Sequence, residues 1–118
     1  MYGLPADTDL DFLTGSQLIQ VSVGENETIL RLEPDISIMV ASAVHLIEPD
    51  GSDVNLTDAR EIGARLLPLL GDQIVAATVI PPGTLRLSWS PGSVLEIIDS
   101  WDRFESYTIT CGDRVIVV

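Results

Sequence analysis

At 118 residues and 12.7 kDa the chain has room for one domain, long enough to bury a core without disulfide or metal support. Eighteen acids against six basic residues, all arginine, leave a net charge of −12, which excludes phosphate-tracking nucleic-acid binding and a polybasic grip on anionic lipid. A hydrophobic content of 46 % sets it apart from a disordered acidic tail, and no run approaches the ~18 apolar residues of a membrane-spanning helix.

The opening stretch, Met1 to Leu13, carries neither a basic n-region nor an apolar h-region, so a cytoplasmic location is expected. The lone Cys111 cannot form an internal disulfide and fits a reducing compartment. Residues 17–23 place Ile19, Val21 and Val23 on one face with Leu18 opposite, the period of a strand. Residues 28–33 alternate Leu30 and Leu32 inward with Arg31 outward, and 36–41 set Ile36, Ile38 and Val40 together. Val44 and Leu46 extend the alternation and leave His45 on the wetter side. Glu48-Pro-Asp-Gly-Ser52 supplies turn chemistry, and 50–55 reads as a polar loop. The first half is therefore expected to be a meander of three or four strands.

Between 57 and 67 the period changes. Ala59, Ile62, Gly63, Leu66 and Leu67 form a helical stripe, with Thr57 or Asp58 as the N-cap and Pro68 and Gly71 closing it. Strand patterns then return at 73–80, 84–89 and 93–99, followed by a hairpin of 105–110 and 114–118 turning at Cys111-Gly112-Asp113.

The halves resemble each other. Residues 13–18 (LTGSQL) recur as 69–74 (LLGDQI), Leu30-Arg31-Leu32 as 85–87, and Ser37-Ile38-Met39 as 93–95. The expected architecture is a single mainly β (α+β) domain over 1–118: two similar β-meander halves, about 13–47 and 69–104, packed as a sandwich or partly open barrel with one helix near 57–67.

Motifs for catalysis are sparse. Asp7, Asp9 and Asp11 open like a calcium loop, but the sixth and twelfth places hold Phe12 and Leu18 instead of Gly and Glu. One histidine and one cysteine, 66 residues apart, make no metal-ligand spacing, and neither a metal nor an organic cofactor is expected. The tripeptides 26–28 and 55–57 match glycosylation sequons by coincidence in a chain with no secretory signal. The densest cluster is Asp99 to Tyr107. Its carboxylates beside aromatics read either as a glycosidase-like pair or as a partner-binding patch. A third reading has Trp101 and Phe104 plugging the core.

The Tyr2-Gly-Leu-Pro5 start, followed by Asp7, Asp9, Asp11, Phe12, Leu13 and Gly15, resembles an uncharacterised family of small acidic bacterial domains. So does the close, Leu95 to Asp99 followed by Phe104-Glu-Ser-Tyr107-Thr-Ile109. The resemblance implies family-typical positions at Asp99, Glu105, Ser106 and Tyr107, and a similarity to toxin-neutralising immunity proteins in size and acidity.

Eleven of the acids lie in residues 1–58 against Arg31 alone, so the surplus charge belongs to the first half of the sequence. The expected function is non-enzymatic protein binding, most concretely an immunity protein that masks the basic cleft of a toxin. Asp7, Asp9, Asp11, Glu25 and Glu27 would supply the field, and Asp99, Trp101, Asp102, Glu105 and Tyr107 the contacts. The alternatives are a scaffold or homo-oligomeric module joined through sheet edges, and a small hydrolase using carboxylates near Asp99 and Glu105.

Overall fold

Period-two alternation becomes two five-stranded antiparallel sheets. The computed structural model describes residues 8–99 and 106–118. Within them a 3-10 turn, Asp11–Leu13, precedes β1 (Leu18–Val23), β2 (Thr28–Leu32), β3 (Ile36–Val40), β4 (Val44–Ile47) and β5 (Asp53–Leu56). The helix α1 (Ala59–Leu66) runs into a second 3-10 turn, Leu67–Leu69. There follow β6 (Ile74–Ile80), β7 (Thr84–Trp89), β8 (Val94–Ile97), β9 (Tyr107–Cys111) and β10 (Arg114–Val117).

The first sheet has the order β1-β2-β3-β9-β10 and the second β5-β4-β8-β7-β6. Their inner faces make one core: Leu30, Leu32, Ile38, Tyr107 and Ile109 against Val44, Leu46, Leu87, Trp89, Leu95 and Ile97. Neither sheet closes, so the molecule is a sandwich and not the barrel that the alternation also allowed.

Three local expectations need correction. A bulge between Leu18 and Gln20 resets the alternation in β1, so Leu18 is buried and Ile19 exposed, while Val21 and Val23 pair with the inward Leu30 and Thr28. The stretch 50–55 is not all loop: Asp53 to Asn55 belong to β5, because the Pro49–Gly51 turn returns the chain beside β4. The first half is also not one meander. After β3 the chain crosses to the other sheet, where β4 pairs with β8 and carries β5 on its other side.

That crossing is reciprocal. The first half builds β1-β2-β3 and lends β4–β5 to the second sheet; the second half builds β6-β7-β8 and lends β9–β10 to the first. The backbone repeats the relation at the junction. Gly15 N–H donates to Ile74 O and Gly71 N–H to Leu18 O, at 2.7 and 2.9 Å, and both glycines have φ near 90°. Gln17 and Gln73 bridge between the sheets at this point.

The resemblance of 13–18 to 69–74 coincides with this equivalence; the other two matches are out of register. Cross-strand pairing equates Leu30 with Leu87 and Leu32 with Trp89, so Arg31 corresponds to Ser88 and not Arg86. It likewise equates Ile38 with Leu95, one residue from the expected match. Alternating sequences look alike after a shift of two, which is how the L-R-L match misleads.

Helix α1 starts where Asp58 Oδ1 accepts from Arg60 N–H at 2.9 Å. Its buried stripe of Ala59, Ile62, Gly63 and Leu66 closes the β1–β2 side of the core, and Thr28 Oγ1 donates to Ala59 O at 2.9 Å. Gly63 allows the approach: a Cβ there would overlap Val23 Cγ2. Among the described residues no helix is long and apolar enough to cross a membrane.

Candidate functional site

Those of the expected contact residues that are described do not converge. Asp9 and Asp11 are exposed at the turn before β1, where Asp9 Oδ1 accepts from Asp11 N–H at 3.0 Å. Glu25 and Glu27 sit in the β1–β2 turn, whose Gly24 N–H donates to Glu27 O at 2.8 Å. The six residues of β1 separate the two groups by about 20 Å at the usual rise per residue.

Asp99 and Tyr107 are interior residues. Ser106 Oγ donates to Asp99 Oδ1 at 3.1 Å, and Tyr107 Oη donates to Gly83 O at 2.7 Å. Tyr107 has no exposed surface, so it is a core residue and not a partner-facing anchor. Burial, with the negative charge of Asp99 adding to it, pushes the Tyr107 hydroxyl well above the ordinary tyrosine range. A buried Asp99 spent on a neighbouring serine also makes a poor half of a glycosidase pair. Asp7, Trp101, Asp102 and Glu105 lie outside the described residues, as does Phe104. Cys111 is on β9 of the first sheet and His45 on β4 of the second, with Cys111 packed towards the core, so these two do not form a nucleophilic pair.

The structure assembles a different constellation on the outer face of the second sheet. Strand alternation turns His45 outward, and pairing sets Glu96 on β8 beside it and Arg86 on β7 beside Glu96. The His45 ring nitrogens lie 2.9 Å from Glu96 Oε1 and 2.6 Å from Asp53 Oδ2. Arg86 Nε stands 3.7 Å from Glu96 Oε2. The result is a row of alternating sign across four strands: Arg86, Glu96, His45, Asp53.

Hydrogen bonding to Asp53, then to Glu96, raises the His45 pKa above 6.5, against a smaller opposing effect of burial. A carboxylate at each ring nitrogen favours the cationic imidazole, in which both nitrogens donate. Periodicity made His45 legible as an outward residue, but its partners come from 8 and 51 residues away and follow from sheet order alone.

On the outer face of the first sheet an open recess of about 310 Å³ is lined by Ile29, Arg31, Asp35, Ile36, Ser37 and Thr110. Arg31 makes no ion pair among the described residues. The recess brings a guanidinium, a carboxylate and two hydroxyls beside the apolar side chains of Ile29 and Ile36.

Residues 10–118 match the model of a family of unknown function, DUF6188. The chain belongs to DUF6188. This membership agrees with the resemblance to an uncharacterised family, and the match carries no link to immunity proteins. No curated protein and no solved structure gives a significant match to this DUF6188 domain.

Proposed function

We propose that this DUF6188 domain is a non-enzymatic protein-binding module that docks on a basic protein surface. The observation that carries the reading is uncompensated negative charge. Asp9, Asp11, Glu25, Glu33, Asp35, Asp50 and Glu61 are exposed and have no arginine in ion-pair range among the described residues. Arginine ion pairs there are confined to Asp58 and Glu96. Such a field accelerates encounter with a positive partner and weakens as salt screens it.

The docking face we favour is the outer face of the second sheet. There the row of Arg86, Glu96, His45 and Asp53 pairs its own charges, and the surplus comes from Glu48 and Asp50 in the β4–β5 turn beside it. The concrete form of the reading is an immunity protein masking a toxin that acts on nucleic acid, since such toxins present positive clefts. Pull-down with the full chain at low and high ionic strength tests the module: a basic protein captured at low salt and released at high salt is expected. Capture insensitive to salt, or of acidic proteins alone, overturns it. Co-expression with the neighbouring gene product tests the immunity form, which fails if that product is harmless by itself or stays toxic beside this chain.

A further inference from the structure

We propose that β10 is a self-pairing edge through which two copies of this chain join into one continuous ten-stranded sheet. The inference does not rest on the docking reading. A sandwich of two open sheets has four edge strands, here β1, β10, β5 and β6. An unprotected edge is a template for another strand. Three of the four are protected. β1 and β6 each carry a bulge, between Leu18 and Gln20 and between Ile74 and Ala76, and α1 packs on β1 at Val23. β5 presents the charged Asp53, and self-pairing would bring two such carboxylates onto one face of the joined sheet.

Among the described residues β10, though short, has neither a bulge nor a covering helix. Its ladder with β9 is unbroken, it contains no proline, and Val115 and Val117 are 57 % and 42 % exposed. The turn at Gly112–Asp113 makes Arg114 and Cys111 the first pair, and Val118 N–H donates to Tyr107 O at 2.9 Å. Alternate residues of an antiparallel strand face the same neighbour, so Arg114, Ile116 and Val118 face β9. The backbone N–H and C=O of Val115 and Val117 therefore point off the sheet.

Those groups are self-complementary. A two-fold axis at Ile116 sets Val115 of one copy opposite Val117 of the other, and the two pairs exchange four hydrogen bonds. The four valine side chains then share one face.

Charge selects the second copy as occupant. In a chain of net charge −12, Asp113 and Arg114 cancel beside this strand, and Arg114 lies over the Phe12 ring at 5.0 Å. The strand itself therefore presents valine side chains and self-complementary backbone groups, which its own copy matches better than a basic surface drawn by acids elsewhere. A four-residue strand falls short of the ~1,200 Å² of a standard interface, so association is concentration-dependent.

Sedimentation of the full chain from micromolar to millimolar concentration tests this. The average mass is expected to rise from 12.7 kDa towards twice that value, and to rise further with salt, which screens the repulsion between two acidic copies. Val117→Lys should stay monomeric throughout. Amide exchange of the unmodified chain gives an independent reading: Val115 and Val117 should gain protection as concentration increases. A chain monomeric at every concentration overturns the proposal, as does a dimer that leaves those two amides unprotected or that folded Val117→Lys still forms.

Discussion

Replacing Tyr107 by Phe removes one O–H and leaves the ring in place. The donor lost is 2.7 Å from the carbonyl of Gly83, and both residues are buried, with Tyr107 at 0 % exposure. The variant forfeits a hydrogen bond and leaves a buried acceptor with its desolvation cost. Together these amount to about 2 kcal/mol. With an unfolding entropy of roughly 2 cal/mol/K per residue, a domain of 118 residues loses about 8 °C in Tm. Thermal melts and urea titrations measure the loss, with the midpoint moving and the m-value constant. A Tyr107→Phe chain as stable as the parent within about 0.5 kcal/mol would refute the reasoning, because the carbonyl would then have another source of satisfaction. Tyr107 would have to be released from the core before it could serve a partner.

Four further outcomes follow from the geometry. His45 has a raised folded pKa, so its contribution to stability is complete below the unfolded value of 6.5 and is lost as pH rises through the folded value; the pH dependence of Tm in that window should flatten in His45→Gln, and NMR titration of the ring should give a midpoint above 6.5. Because Asp53 is half exposed, the effect should stay under about 1 kcal/mol. Gly63→Ala should destabilise despite the better helix propensity of alanine, and Val23→Ala in the same chain should recover most of the loss, as denaturation of the four chains in a double-mutant cycle will show. Asp58→Ala should cost about 1 kcal/mol through loss of the cap to Arg60 N–H, read by urea unfolding. Thr28→Val strands the bond to Ala59 O and should cost a comparable ~1–2 kcal/mol by the same measurement.

The sequence by itself determined what depends on near neighbours. Alternation at 84–89 reproduces β7 residue for residue, and the turn at Gly112–Asp113 is that of the final hairpin. The apolar stripe from Ala59 to Leu67, with a cap at Thr57 or Asp58, places the helix, although Leu67 itself is exposed and the cap is Asp58. These are legible because side-chain period, turn chemistry and capping act over a few residues.

The tertiary structure decided the rest. A bulge in β1 consumes one residue and reverses which of Leu18 and Ile19 is buried, something no alternation pattern signals. Asp53 to Asn55 form a strand because β4 offers them a partner, although their own composition favours a loop. The row at His45 exists because β4 pairs β8 rather than continuing beside β3, and the acids of the first half scatter because β1 holds them a strand length apart. Each strand encodes which of its faces is apolar, and many pairings satisfy that equally. Choosing among them takes the closure of a common core from both halves of the chain, a long-range condition that sets strand order, register and the company each charged residue keeps.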